Sequence, residues 1–76
     1  MRIFVKIYGD LKRHGPGGRS HFTMRLDPGA TLEDIQRRLG LPADRHTALV
    51  NGRRSGPDAA VADGDTLVLL PLISGG

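Results

Sequence analysis

Thr31-Leu32-Glu33-Asp34-Ile35-Gln36-Arg37-Arg38-Leu39-Gly40-Leu41-Pro42 is the stretch on which the fold turns. Thr31 carries a hydroxyl able to cap the free N–H groups of a helix, and Glu33 and Asp34 follow in the first turn, where the helix dipole favours carboxylates. Leu32, Ile35 and Leu39 recur at the spacing of one buried helical stripe. Glu33 with Arg37, and Asp34 with Arg38, stand four apart with the acid first, the favourable order for exposed pairs. Gly40 suits the left-handed position just past a helix end, Leu41 can make the accompanying apolar contact, and Pro42 prevents the helix from resuming. The stretch predicts one short amphipathic helix with a single face to bury.

On its N-terminal side, residues 2–8 alternate, with Ile3, Val5 and Ile7 on one face and Arg2, Phe4, Lys6 and Tyr8 on the other. Alternation returns from His21, with Phe22, Met24 and Leu26 on the apolar side, so the first two strands are expected to form a hairpin. Between them, residues 9–19 contain Gly15-Pro16-Gly17-Gly18, which suits a loop better than a helix or strand interior. On the C-terminal side, Asn51-Gly52 is the preferred pair for a two-residue hairpin turn, because both positions need positive φ. Residues 57–62 are expected to make a single helical turn, and Asp63-Gly64-Asp65 a turn into a last strand. There Leu67 and Leu69 share one face and Val68, Leu70 and Leu72 the other, with Pro71 weakening the ladder so that the strand frays into the tail. Strand, strand, helix, strand, short strand, strand predicts an α+β domain: a mixed sheet of four to five strands covered by one main helix, the β-grasp arrangement. The expected division is a domain over residues 1–71 and a flexible diglycine tail over residues 72–76.

Composition bounds the rest. The chain has 76 residues, 38 % hydrophobic and 25 % charged, as expected of one small globular domain rather than a disordered segment. It contains no cysteine, which excludes thiol catalysis, persulfide carriage and cysteine metal sites within the chain. No apolar run is long enough to span a bilayer, and a cytoplasmic location is expected. The net charge is +3, with every Lys and Arg at or before Arg54 and Asp58, Asp63 and Asp65 after it.

These segments resemble the ThiS/MoaD family of ubiquitin-like sulfur carriers. The likeness rests on Thr31-Leu32-Glu33-Asp34-Ile35 closing in Leu39-Gly40-Leu41-Pro42, on Val50-Asn51-Gly52-Arg53, and on Asp63-Gly64-Asp65-Thr66-Leu67-Val68-Leu69-Leu70-Pro71 followed by Gly75-Gly76. The glycine-rich first loop departs from the usual pattern. The resemblance implies a carrier that is not itself an enzyme and binds no cofactor. A partner adenylyltransferase, similar to ubiquitin-activating enzymes, would use ATP to adenylate the carboxylate of Gly76, and a sulfur donor would convert it to a thiocarboxylate. A synthase making molybdopterin or thiamin thiazole, or a tRNA thiolase, would accept the sulfur. Some relatives are instead joined to lysines of target proteins, which is the first alternative.

The chemistry needs such an ending. A carboxylate is a poor acyl donor until one oxygen becomes a good leaving group, which adenylation supplies. Six extended residues span on the order of 20 Å at about 3.3 Å each, far enough to enter a cleft closed to the folded body. Glycine at Gly75 and Gly76 removes side-chain bulk, with Ile73 and Ser74 leading in as they do in sulfur carriers. Ordering the two glycines costs roughly 2–4 kcal/mol at about 1–2 per residue, and an apolar docking surface of Phe4, Val68, Leu70 and Leu72 could offset it.

Other constellations are weaker. The stretch from Gly15 lacks the glycine and following helix of a phosphate loop. His14, His21 and His46 have no metal-ligand spacing and read as surface or loop residues. Lys12-Arg13, Arg37-Arg38 and Arg53-Arg54 could form a basic patch, so a small RNA-binding domain is the second alternative; against it, the aromatic residues are only Phe4, Tyr8 and Phe22, and with Phe22 expected in the core little is left for base stacking.

Overall fold

The computed structural model describes residues 1–41 and 46–72. Pro42, expected to stop the helix, lies outside the described residues, as do Ile73, Ser74, Gly75 and Gly76 of the expected tail. The elements are β1 (Arg2–Ile7), β2 (His21–Arg25), α1 (Leu32–Leu39), β3 (His46–Val50), β4 (Arg53–Arg54) and β5 (Thr66–Pro71). The sheet order is β2-β1-β5-β3-β4, with β1 and β5 parallel and the other pairs antiparallel. This is the expected mixed sheet with one covering helix. The final strand, nearly continuously apolar, lies at its centre, as suits a strand with neighbours on both edges.

Alternation sorts the side chains. Ile3, Val5, Ile7, Leu67 and Leu69 are at most 1 % exposed and meet Leu32 and Ile35 of α1, both at 0 %. Helix α1 satisfies its first N–H groups completely. Leu32 and Glu33 donate to the carbonyls of Ala59 and Pro57, at 2.8 and 2.9 Å. Asp34 donates to Thr31 Oγ1, while its carboxylate accepts from the Thr31 N–H at 2.9 Å, closing a capping box. At the other end Gly40 has φ 71°, and Leu41, 4 % exposed, donates to the Gln36 carbonyl at 2.9 Å, the Schellman arrangement.

Five local expectations are corrected. Residues 57–62 form no helical turn: they run beside α1, with Ala60 bridging Thr31 and Val61 buried, and their carbonyls cap the helix. The first loop is not irregular: Gly9–His14 forms a 3₁₀ helix, while Gly15-Pro16-Gly17-Gly18 makes tight turns within the expected loop, with Gly17 and Gly18 left-handed at φ 61° and 76°. Gly15 is required by close approach, since a Cβ there would stand 2.0 Å from the Arg19 carbonyl oxygen, whereas Gly17 and Gly18 supply positive φ in open space. Asp34 is occupied by the cap, so Arg38 turns to β2 and donates to the Arg25 carbonyl at 2.6 Å, while Glu33 and Arg37 do pair, at 2.9 Å. Pro71 does not fray but ends β5 opposite His46. Tyr8 donates to the Leu69 carbonyl, so alternation aims the ring nitrogen of Pro71 at the side where β1 has already ended, and no ladder bond is lost. Finally, His46 is not a surface residue: it is 6 % exposed, and its Nε2 lies 3.1 Å from Nε2 of the buried Gln36.

Candidate functional site

The face of the sheet opposite α1 carries the side chains that alternation directs outward. From β2 to β4 these are His21, Thr23 and Arg25; Arg2, Phe4 and Lys6; Thr66, Val68 and Leu70; Thr47 and Leu49; and Arg54. Of the residues expected in a docking patch, Phe4 is 47 % and Leu72 54 % exposed, whereas Val68 and Leu70 are half-buried. The registers show how they meet. Phe4 stands beside Thr66 and Lys6 beside Val68, so Phe4 and Val68 are diagonal neighbours. On the other flank Leu49 of β3 lies opposite Val68 and extends the apolar strip.

Leu49 was not singled out from sequence. Its alternation with Thr47 gives a face only once β3 is known to pair with β5, and nothing local specifies that partner. The rim is cationic, with Arg2, Lys6, Arg25 and Arg54 on the same face and His21 beside Lys6. The three basic dipeptides do not converge: Arg37 is paired with Glu33, Arg38 reaches Arg25, and Arg53-Arg54 lie on the far edge strand.

At its start β5 is held by interlocked turns. Asn51 Nδ2 donates to Asp65 at 2.9 Å, the Ala62 N–H donates to the same carboxylate at 2.7 Å, and the Thr66 N–H donates to Asn51 Oδ1 at 2.9 Å. The Ala62 N–H, and after it the Asn51 amide, hold the Asp65 carboxyl below its ordinary value of 3.8. At its end Pro71 packs on Gly9, whose φ is 64° and whose added Cβ would stand 2.9 Å from the proline ring. Leu72, 54 % exposed, follows the central strand directly.

Among the described residues, no three His, Asp or Glu side chains are arranged to hold a metal ion, and no helix is long and apolar enough to cross a membrane. Chemically the site is a rooted strand end and an apolar strip with a cationic rim.

The model of the ThiS family matches residues 5–76. No curated protein matches the chain. Among solved structures, SAMP1 from Haloferax volcanii is 26 % identical, with a TM-score of 0.81 over the whole of both chains. A ubiquitin of Caldiarchaeum subterraneum is also 26 % identical, with a TM-score of 0.66 over 100 % of this chain and 98 % of its own. A chain from the complex of subunits 1 and 2 of the molybdopterin-converting factor of Helicobacter pylori is 19 % identical over both full lengths, with a TM-score of 0.66, a likeness of fold.

Proposed function

This chain belongs to the ThiS family, of ubiquitin-like β-grasp fold, and we propose that it acts as a sulfur carrier through the C-terminal carboxylate of Gly76. The observation that carries this reading is the family match running through residue 76, so that it includes Gly75-Gly76, on a chain whose last strand is the centre of its sheet. In the proposed cycle the Gly76 carboxylate attacks the α-phosphate of ATP held by a ubiquitin-activating-enzyme-like adenylyltransferase, and pyrophosphate leaves. Hydrosulfide delivered by the sulfur donor then attacks the acyl carbon, AMP leaves, and loss of the sulfur's proton leaves Gly76 as a thiocarboxylate. A sulfur-accepting synthase or tRNA thiolase takes the sulfur. The carrier itself supplies no catalytic group and binds no cofactor, and the cycle runs in the cytoplasm.

Phe4, Val68, Leu70 and Leu72 are the proposed partner contacts, with Ile73 and Ser74 leading Gly75 and Gly76 into the nucleotide site. An apolar side chain buried in an interface contributes about 1.5–3 kcal/mol, so Val68→Asp is expected to weaken adenylyltransferase binding by at least about tenfold. Binding titration checks this against a circular-dichroism spectrum identical to that of the parent protein.

A second reading has its own support. The 26 % identity to SAMP1, and the description of a Haloferax volcanii relative as small archaeal modifier protein 1, favour attack on the same acyl adenylate by a lysine amine of a target protein. Intact-mass spectrometry of the protein from its native host separates the two. One oxygen-to-sulfur exchange at Gly76 is expected for a carrier; an isopeptide adduct would indicate conjugation. Full activity after adding one residue beyond Gly76 would overturn both.

A further inference from the structure

Strand β1 presents to solvent a strict alternation of cation and aromatic ring. Arg2, Phe4 and Lys6 share the outer face, and Tyr8, extended at φ −113° and ψ 158°, continues it. Phe4 is 47 % and Tyr8 46 % exposed, and with Leu72 they are the only large hydrophobic residues so exposed among those described. The neighbouring strand adds more basic side chains. Arg25 lies directly opposite Arg2 and His21 directly opposite Lys6, with Thr23 opposite Phe4 between them.

Two basic residues directly across an antiparallel pair disfavour the sheet where both are charged. No carboxylate forms an ion pair with either arginine: among the described residues the one ion pair is Glu33 with Arg37, and Asp63 accepts from the Arg2 N–H at 2.7 Å. At the foot of the rail, Arg2, Phe4, Arg25 and Arg38 line an open groove of about 670 Å³, where Asp27 and Asp63 also stand. Cations on the outer strand β2 guard a sheet edge against pairing, but that role requires neither a second row of cations on β1 nor rings interleaved with them.

We propose that this face of β1 and β2 binds single-stranded nucleic acid, with Phe4 and Tyr8 as stacking platforms and Arg2, Lys6, His21 and Arg25 tracking the backbone. The two rings lie about 13 Å apart at ~3.3 Å per residue, which leaves Lys6 and His21 between two stacked bases. Stacking is indifferent to base identity, so the binding is tolerant of sequence. It needs neither the Gly76 carboxylate nor Val68 and Leu70, but it shares Phe4 with the proposed partner contacts, so nucleic acid and the activating partner would compete for that ring.

The test is fluorescence anisotropy of a labelled single-stranded RNA of mixed sequence, titrated with the full chain at several salt concentrations. Tyr8→Ala is expected to weaken binding about fivefold to 150-fold, and Tyr8→Phe to preserve it, because the stacking surface and not the hydroxyl is used. Lys6→Gln combined with Arg25→Gln is expected to reduce the slope of log affinity against log salt by about 1.4, two phosphate contacts at ~0.7 each. These residues are exposed, and thermal melts matching the parent protein confirm the fold. Removing Gly75 and Gly76 is expected to leave the affinity unchanged. Absence of binding at low salt would overturn the proposal. So would a polyglutamate peptide that binds as tightly as the RNA with Tyr8→Ala affecting neither, which would make the face a dock for acidic protein.

Discussion

Asp65 ties three segments together: its carboxylate accepts from the Ala62 N–H and from Asn51 Nδ2, and Asn51 in turn accepts from the Thr66 N–H. Its pKa in the folded protein lies below 3.8, chiefly through the Ala62 hydrogen bond. The contribution to stability is therefore fully present above the unfolded value, and is lost as pH falls through the lower, folded value. Asp65→Asn is expected to reduce stability at neutral pH and to flatten the loss of stability between about pH 5 and pH 2, measured by urea denaturation across that range. Asn51 was legible as a hairpin turn residue, and it does have φ 51° beside Gly52 at φ 84°. Its bond to Asp65 was not legible, because fourteen positions separate them and a turn motif carries no information about distant partners. His46 makes the same point. Nothing in its local sequence marks it as buried, and it becomes so because β3 pairs with β5 and its ring meets Gln36 of α1.

Elements were read best where their determinants are local. The helix start, stripe and end at Thr31, at Leu32, Ile35 and Leu39, and at Gly40 all stand as the sequence suggests, because each depends on residues within one or two turns. Thr31→Ala removes the acceptor for the Asp34 N–H and one half of the capping box, and is expected to cost about 1 kcal/mol, read from the shift in urea midpoint at constant m. The cost falls toward the low end of the usual range because the Ala59 and Pro57 carbonyls continue to cap Leu32 and Glu33. Those carbonyls also explain the failed reading of residues 57–62: a segment lending its backbone acceptors to another helix cannot use them for its own. The first loop failed for a different reason. Glycine and proline argue against an α-helix, but 3₁₀ turns need only i to i+3 bonds, which residues 9–14 supply, while Pro16, with Gly17 left-handed at φ 61°, makes the turn that follows.

At the scale of the whole molecule, the last strand is the keystone. β5 pairs with both β1 and β3 and contributes Leu67 and Leu69, at 1 % and 0 % exposure, to the core. A chain ending at Asp65 is expected not to fold at all, seen as loss of a cooperative thermal transition, since it lacks the strand joining the sheet's two halves. Rooting the tail in that strand means that pulling on it loads the most strongly held element of the fold, so under the proposed function the tail is expected to enter a partner without unfolding the carrier. Hydrogen exchange on the partner-bound protein, with Leu67 and Leu69 amides still protected, checks this. The amino-acid sequence by itself determined the number and kind of the main elements, the buried faces of β1, α1 and β5, and the Gly75-Gly76 ending, because periodicity and caps are written in neighbouring residues. Only the tertiary structure decided that β5 lies between β1 and β3, that Leu49 joins Val68, and that Arg25 and His21 face Arg2 and Lys6. Strand order and register arise from burying all the apolar faces together, and no short stretch of chain contains that information.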